Sequence, residues 1–233
     1  MREIIFDTET TGLRAEGGDR VIELGAVELE NRFPTGRNFH VYINPEGKAV
    51  DPGAFDVHGI SDEFLADKPK FSDIVQDFLD FVSEANLVAH NAGFDMAFIN
   101  AELSRLGLPP FPAERVIDTL AIARRRHPMG PNSLDALCQR YAIDNSRRDK
   151  HGALLDSELL AEVYIEMNGG RQASLLLEAE TTSETSDEKI EQSTGKRRQR
   201  SAPLYSRLSA QDLERHRAFV ESLGEGALWK QYG

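Results

Sequence analysis

The residues best suited to chemistry stand within the first dozen positions, Met1-Arg2-Glu3-Ile4-Ile5-Phe6-Asp7-Thr8-Glu9-Thr10-Thr11-Gly12. Asp7 and Glu9 lie two apart, after the apolar run Ile4-Ile5-Phe6, which reads as a buried strand. Alternate strand residues point the same way, so the two carboxylates share a face. Held together at neutral pH they repel, unless one is protonated or a cation lies between them. The Thr-Thr-Gly that follows is a small, hydroxyl-rich turn open to close approach by another backbone. A strand, an Asp-x-Glu and a small turn suit a hard divalent cation and a phosphate. Alone, the motif fits equally well an edge strand with two solvated acids.

Three more groups can join them. Asp95 follows the segment His90-Asn91-Ala92-Gly93-Phe94 and falls in the first turn of a helix. His151 lies just before a helix that contains Asp156. Singly, each has a plainer reading: a helix-dipole acid for Asp95, a loop histidine bonded to backbone for His151, and a surface acid for Asp156. Together they fit one mechanism. Hard carboxylate oxygens, no cysteine ligands and few histidines favour Mg²⁺ or Mn²⁺ over zinc. A pair of such ions stabilises the attacking and leaving oxygens of an in-line phosphoryl displacement. A neighbouring histidine can take a proton from the attacking water.

The elements that must position these groups are legible in outline. Residues 19–28 form a strand-like stretch and Phe39 to Ile43 a third strand, with Asn31-Arg32-Phe33-Pro34-Thr35-Gly36 as the turn between them, so an antiparallel meander is predicted. A helix over Ser72 to Ser83 buries Ile74, Val75, Phe78, Leu79 and Val82. The short strand Leu87-Val88-Ala89 runs into the Asp95 segment, whose helix turns Phe98, Ile99, Leu103 and Leu106 inward. Val116-Ile117 opens another strand, Leu120 to Arg126 a helix, and Asn132 or Ser133 caps the next, with Leu134, Leu137, Cys138 and Tyr141 on one stripe. Asp144 to Lys150 is a polar loop, and the last domain helix carries Leu155, Leu159, Val163 and Tyr164 inward. Strands first, then strands mixed with helices, give an α/β sandwich around a mixed sheet.

With 233 residues the chain can bury one sizeable core plus extras. No apolar run approaches the ~20 residues of a membrane helix. A strand begins almost at once, so no signal peptide is expected. The single cysteine, Cys138, suits a core position in a reducing compartment, and the expected location is cytoplasmic. The formal net charge of −12 sits awkwardly with tight non-specific binding of nucleic acid, which wants a basic surface. Any nucleic acid would be gripped at a small metal-bearing site and delivered by something else.

The segments Phe6-Asp7-Thr8-Glu9-Thr10-Thr11-Gly12, His90-Asn91-Ala92-Gly93-Phe94-Asp95 and His151-Gly152-Ala153-Leu154-Leu155-Asp156 resemble the motifs of the DEDDh class of 3′–5′ exonucleases. Val57-His58-Gly59-Ile60, Asn132-Ser133-Leu134-Asp135-Ala136-Leu137-Cys138 and Tyr141-Ala142-Ile143-Asp144-Asn145-Ser146 resemble its proofreading branch, which serves bacterial replicative polymerases. The resemblance runs to about residue 170. It implies an RNase H-like fold, two divalent ions (Mg²⁺ or Mn²⁺), and hydrolysis that removes mispaired 3′-terminal nucleotides from DNA as nucleoside 5′-monophosphates. It also implies roles. Asp7, Glu9 and Asp156 bind metal directly, Asp95 supports the second ion, and His151 is the general base. Asp7, Glu9, Thr10, Gly12, His58, Phe94 and Asp156 line the groove for the last nucleotides. A further substrate position falls at Gly53, where only backbone could make the contact.

After Gly169-Gly170 the character of the chain changes. In the family, a glutamine followed by apolar residues here binds the sliding clamp, which points to Gln172, Leu175 and Leu177 in segment 171–177; a helix end packing its leucines on the domain fits as well. Residues 178–208 cannot bury a core and are expected to form a disordered linker. The tail, 209–233, carries Leu213, His216, Val220 and Leu223 on one helical stripe, then Leu228, Trp229 and Tyr232. It reads as a docking element for the catalytic (alpha) subunit of such a polymerase, in a bacterial replisome associated with the nucleoid; a small third subunit is also a possible partner. Two alternatives compete: an RNase of the same fold, of the oligoribonuclease or tRNA-trimming type, and a non-enzymatic scaffold between clamp and polymerase. The intact set of five active-site residues speaks against the scaffold, and the long tail against the RNase.

Overall fold

The first strand sorts its own side chains onto two faces, and the rest of the fold is arranged around that sorting. The computed structural model describes residues 1–148, 150–170 and 209–222. The chain divides into two units, Met1–Leu176 and Leu177–Gly233. In the first unit β1 (Arg2–Thr10) is the middle strand of a five-stranded sheet ordered β3-β2-β1-β4-β5. Its partners are β2 (Val21–Glu30), β3 (Phe33–Tyr42), β4 (Asn86–Ala89) and β5 (Val116–Asp118). β1, β2 and β3 form an antiparallel meander, while β4 and β5 run parallel to β1. The helices are α1 (Pro52–His58), α2 (Asp62–Leu65), α3 (Phe71–Val82), α4 (Ala92–Arg105), α5 (Thr119–Arg126), α6 (Leu134–Tyr141) and α7 (Ala153–Met167). The second unit contributes α8 (Ala210–Ser222).

Ile4, Ile5 and Phe6 are all fully buried, as a central strand between two helical layers requires. Ile4 and Phe6 pack with Phe78 and Val82 of α3 and with Phe98, Ile99 and Leu103 of α4. Ile5 packs on the opposite face with Leu160, Ala161, Tyr164 and Ile165 of α7. Behind α7, a further cluster joins Ala123 of α5 and Leu137 and Cys138 of α6 to Leu159 and Val163. The predicted mixed α/β sandwich is the one observed.

Two details differ from the sequence reading. The turn before β3 is shorter than the predicted cluster. Only Asn31 and Arg32 turn, at φ 52° and 69°, as a two-residue type I′ hairpin demands, and β3 starts at Phe33. Pro34 is tolerated because β3 is the sheet edge, and Gly36 (φ 83°) accompanies the register shift between Val27 and Leu29. Leu106, expected inward, is 40% exposed because α4 ends at Arg105 and leaves it as the C-cap.

Gly25 in β2 sets where α7 begins. A Cβ at Gly25 would lie 2.2 Å from the backbone of Ala153 and Leu154, so only glycine lets the helix start settle onto the sheet. Ser157 pins the contact by donating to the carbonyls of Gly25 (2.9 Å) and Ala153 (2.7 Å). Gly25→Ala is therefore expected to cost about 1–3 kcal/mol or more in urea denaturation, because both sides of the clash are backbone. Gly93→Ala, where nothing lies within 4 Å of the added carbon, is the control and should be neutral or mildly stabilising. Equal stabilities for the two variants would show that α7 is not fixed by this contact.

Candidate active site

The two-residue alternation of β1 aims its polar end in both directions. Asp7 and Glu9 continue the phase of Ile5, toward α7, and Asp156 stands in the first turn of α7. Thr8 continues the phase of Ile4 and Phe6, toward α4, and meets Asp95 there. Asp95 Oδ1 accepts from the Thr8 backbone N–H (3.1 Å) and hydroxyl (2.8 Å). The site thus forms at the carboxyl ends of the parallel strands, where open α/β sheets place ligands.

Neighbouring loops are fixed by capping. Asp118, at the end of β5, caps α5 through Leu120 N–H (3.0 Å) and also accepts from the Asn91 N–H (3.0 Å) that opens α4. Asn91 itself is left-handed (φ 65°). His151 N–H donates to the Val57 carbonyl (3.3 Å), and Lys150 Nζ donates to the Asp56 carbonyl (2.6 Å), tying the start of α7 to α1.

Glu9, His151 and Asp156 each offer a ligand atom, and these atoms lie within 4.8 Å of one another. The charge of the cluster is evident from its acids. Burial, then Asp95, Glu9 and Asp156, push Asp7 well above the carboxylate range. Burial, then Glu23, push Glu9 up to about 8, Glu23 being its cross-strand partner on β2. Burial raises Asp95 to about 7 against the opposing pull of its Thr8 hydrogen bonds. Asp156 goes the other way. Burial would raise it, but the Arg148 guanidinium, first among its partners, holds it below its ordinary value. Hard oxygens, one imidazole and clustered negative charge fit a divalent-metal centre.

Beside the cluster opens a cavity of ≈ 880 Å³. Asp7, Glu9, Thr10, Gly12, Gly53, His58, Phe94, Asp95 and His151, all singled out from sequence, line it. Asp156 is not part of that wall; its carboxylate is turned onto Arg148. Burial lowers His58, and its Nδ1 accepts from the Ile60 N–H (3.0 Å), which leaves the proton on Nε2. That Nε2 is buried with no well-formed hydrogen bond, beside the Thr10 backbone. Gln172, Leu175 and Leu177 lie outside the described residues.

Sequence reasoning missed Thr8, Asp118, Gly25 and above all Arg148. The first two carried weak signals: a hydroxyl inside the Asp-x-Glu motif, and an Asp at a strand–helix junction. Arg148 sat in a stretch read only as a polar loop.

Residues 4–164 match the RNase_T family, described as exonuclease, and the chain belongs to that family. Within it the chain is an epsilon-like exonuclease of the DEDDh type. It is 45% identical over 226 residues to the DNA polymerase III subunit epsilon of Rickettsia felis, covering 96% of this chain and 97% of that one. It is 44% identical over 240 residues to the subunit of the same name from Escherichia coli K12, covering 98% and 97%. Among solved structures, exonuclease X in complex with 5′ overhanging duplex DNA matches at 27% identity and TM-score 0.56, covering 71% of this chain and 89% of that one. The nuclease domain of 3′hExo, a DEDDh family member bound to rAMP, shares the fold at 18% identity and TM-score 0.62, covering 72% and 91%. The fold is RNase H-like.

The acid cluster has a consequence for stability. A carboxyl raised in the folded state binds more protons there than in the unfolded chain, whose carboxyls titrate near 4. Its ionisation therefore removes stability as pH rises, here between about pH 4 and the values of about 7 and 8 for Asp95 and Glu9. Without divalent cations, Asp7→Asn with Glu9→Gln should raise the melting temperature at pH 8 by at least ~4 °C, and by much less at pH 5. An equal change at both pH values would mean that the cluster carries no such strain.

Proposed function

We propose that this chain is the 3′–5′ proofreading exonuclease of a bacterial replicative polymerase, removing mispaired 3′-terminal nucleotides from DNA as nucleoside 5′-monophosphates. The observation that carries this reading is the approach of the Glu9, Asp156 and His151 ligand atoms to within 4.8 Å of one another beside a nucleotide-sized cavity.

Asp7, Glu9 and Asp156, with Asp95 in support, would hold two divalent ions, Mg²⁺ or Mn²⁺. Bound there, the ions supply charge stabilisation to an in-line phosphoryl displacement. His151, half exposed at the cavity wall, takes the proton of the attacking water. The backbone of Thr10, Gly12 and Gly53 lets the 3′-terminal nucleotide approach closely, and Phe94 offers a ring for the base. The N–H of His58 Nε2, which has no well-formed partner among the described residues, finds an acceptor in an oxygen of the nucleotide.

Segments 171–177, 178–208 and 209–233 act as clamp-binding stretch, linker and docking tail. Within the tail, α8 starts with a capping box in which Ser209 and Asp212 bond reciprocally, and Phe219 stands exposed. The stripe read from sequence includes His216, exposed, and Val220, half-buried; Leu223 lies outside the described residues. A tether to the polymerase gives an effective concentration on the order of mM, which lets an acidic nuclease act on a frayed end without binding DNA well alone. The relatives named for a polymerase subunit match along nearly their whole length, tail included, which supports a place in the cytoplasmic replisome and favours DNA over the RNase alternative.

Two experiments check this. Asp7→Ala with Glu9→Ala should abolish 3′ trimming of labelled single-stranded DNA while leaving capture of the polymerase catalytic subunit intact; retained trimming contradicts the site. Deleting residues 181–233 should do the reverse, keeping trimming within about twofold and losing capture. A collapse of trimming in the deletion would rule out an independent tether.

A further inference from the structure

A side-chain cation, Arg148, meets the acidic cluster. Arg148 forks onto Asp156, with Nε 2.5 Å from Oδ1 and Nη2 2.8 Å from Oδ2. The same Nη2 lies 2.9 Å from His151 Nδ1, and Nη1 lies 2.8 Å from Asp135 Oδ2 on α6. Asp135 is held in turn by Asn145 Nδ2 at 2.9 Å. The Arg148 side chain is only 7% exposed, while that of Asp135 is 56% exposed. One guanidinium therefore grips two of the groups that the proposed reaction needs, and is anchored from outside by a third.

Hydrogen-bond bookkeeping shows what this grip does. Guanidinium has donors only, so His151 Nδ1 is the acceptor in that contact, and its 3.4 Å approach to Asp156 Oδ2 carries no hydrogen bond in that tautomer. A neutral imidazole has a single acceptor nitrogen, and here it is used. The proton then sits on Nε2, and the ring has no free lone pair to take a proton from water. Both Asp156 oxygens are likewise engaged by a charged, bidentate donor, the strongest kind of carboxylate partner. The Asp156 carboxylate accordingly faces Arg148.

We propose that Arg148 is a latch on the unloaded centre, competing with divalent metal for Asp156 and occupying the lone pair of His151, and that it must release both when the centre loads. The latch sets a cation against the buried acidic cluster, and it makes the base available only in the loaded state. The inference rests on the reading of Asp7, Glu9, Asp95 and Asp156 as a metal centre.

The test is Mn²⁺ affinity of the full chain, followed by the electron paramagnetic resonance of free Mn²⁺, in wild type, Arg148→Gln, Asp135→Asn and the Asp7→Asn/Glu9→Gln pair. Arg148→Gln should bind Mn²⁺ about tenfold more tightly, the weight of one charge-assisted hydrogen bond. Asp135→Asn, which loosens only the outer anchor, should shift affinity the same way by less, and its exposed position keeps the test open should Arg148→Gln fail to fold. Nitrogen NMR of the His151 ring in the metal-free wild type should show the Nε2-protonated tautomer, with its Nδ1 signal moving in both variants. Unchanged or weaker Mn²⁺ binding in the variants would overturn the latch while leaving the metal centre standing. No Mn²⁺ binding by wild type, or equal binding by the Asp7→Asn/Glu9→Gln pair, would overturn the centre and the latch together.

Discussion

Repulsion between buried carboxylates is the constraint on which this structure turns. Asp7, Glu9, Asp95 and Asp156 come from three separate elements and converge at one end of the sheet. Three of them are pushed toward protonation, first by burial and then, for Asp7 and Glu9, by other carboxylates; the fourth is ionised because an arginine is wrapped around it. No arrangement of apolar packing relieves that tension, whereas a compact divalent charge does. A fold that concentrates like charge without a matching structural benefit has given up stability for chemistry.

The rest of the domain supplies the stiffness that such an arrangement needs. β1 is buried between α3 and α4 on one side and α7 on the other, so the alternation of its side chains becomes a choice of which helix each polar residue addresses. Gly25 brings α7 down to the sheet, and the Asp118 bonds fix the turn that launches α4. The net charge of −12, awkward for a protein that must hold nucleic acid unaided, fits the proposed tether to a polymerase.

Much of this was legible before any coordinates. The motifs around Asp7, Asp95 and His151 pointed to residues that the fold brings together, because hard-metal chemistry needs carboxylates at strand ends and helix starts, and those positions leave local signatures. The buried strand, the antiparallel meander and the helical stripes followed from periodicity. What could not be read was set by long-range geometry. Gly25 looks like any strand glycine until α7 is laid across it. Arg148 looks like one of several charges in a polar loop until Asp135 and Asp156, from two different helices, close on it. The hairpin differs for a local reason: the Asn-Arg pair alone turns at positive φ, while Pro34 and Gly36, read as part of the same turn, belong to β3.

The central claim is that the four carboxylates form a seat for divalent metal, and diffraction tests it most directly. Crystals of the chain grown with Mn²⁺ and a nucleoside 5′-monophosphate should give two anomalous peaks at the manganese edge, both within coordination distance of Asp7, Glu9 or Asp156. Peaks elsewhere on the molecule, or none at all with the nucleotide in place, would contradict it.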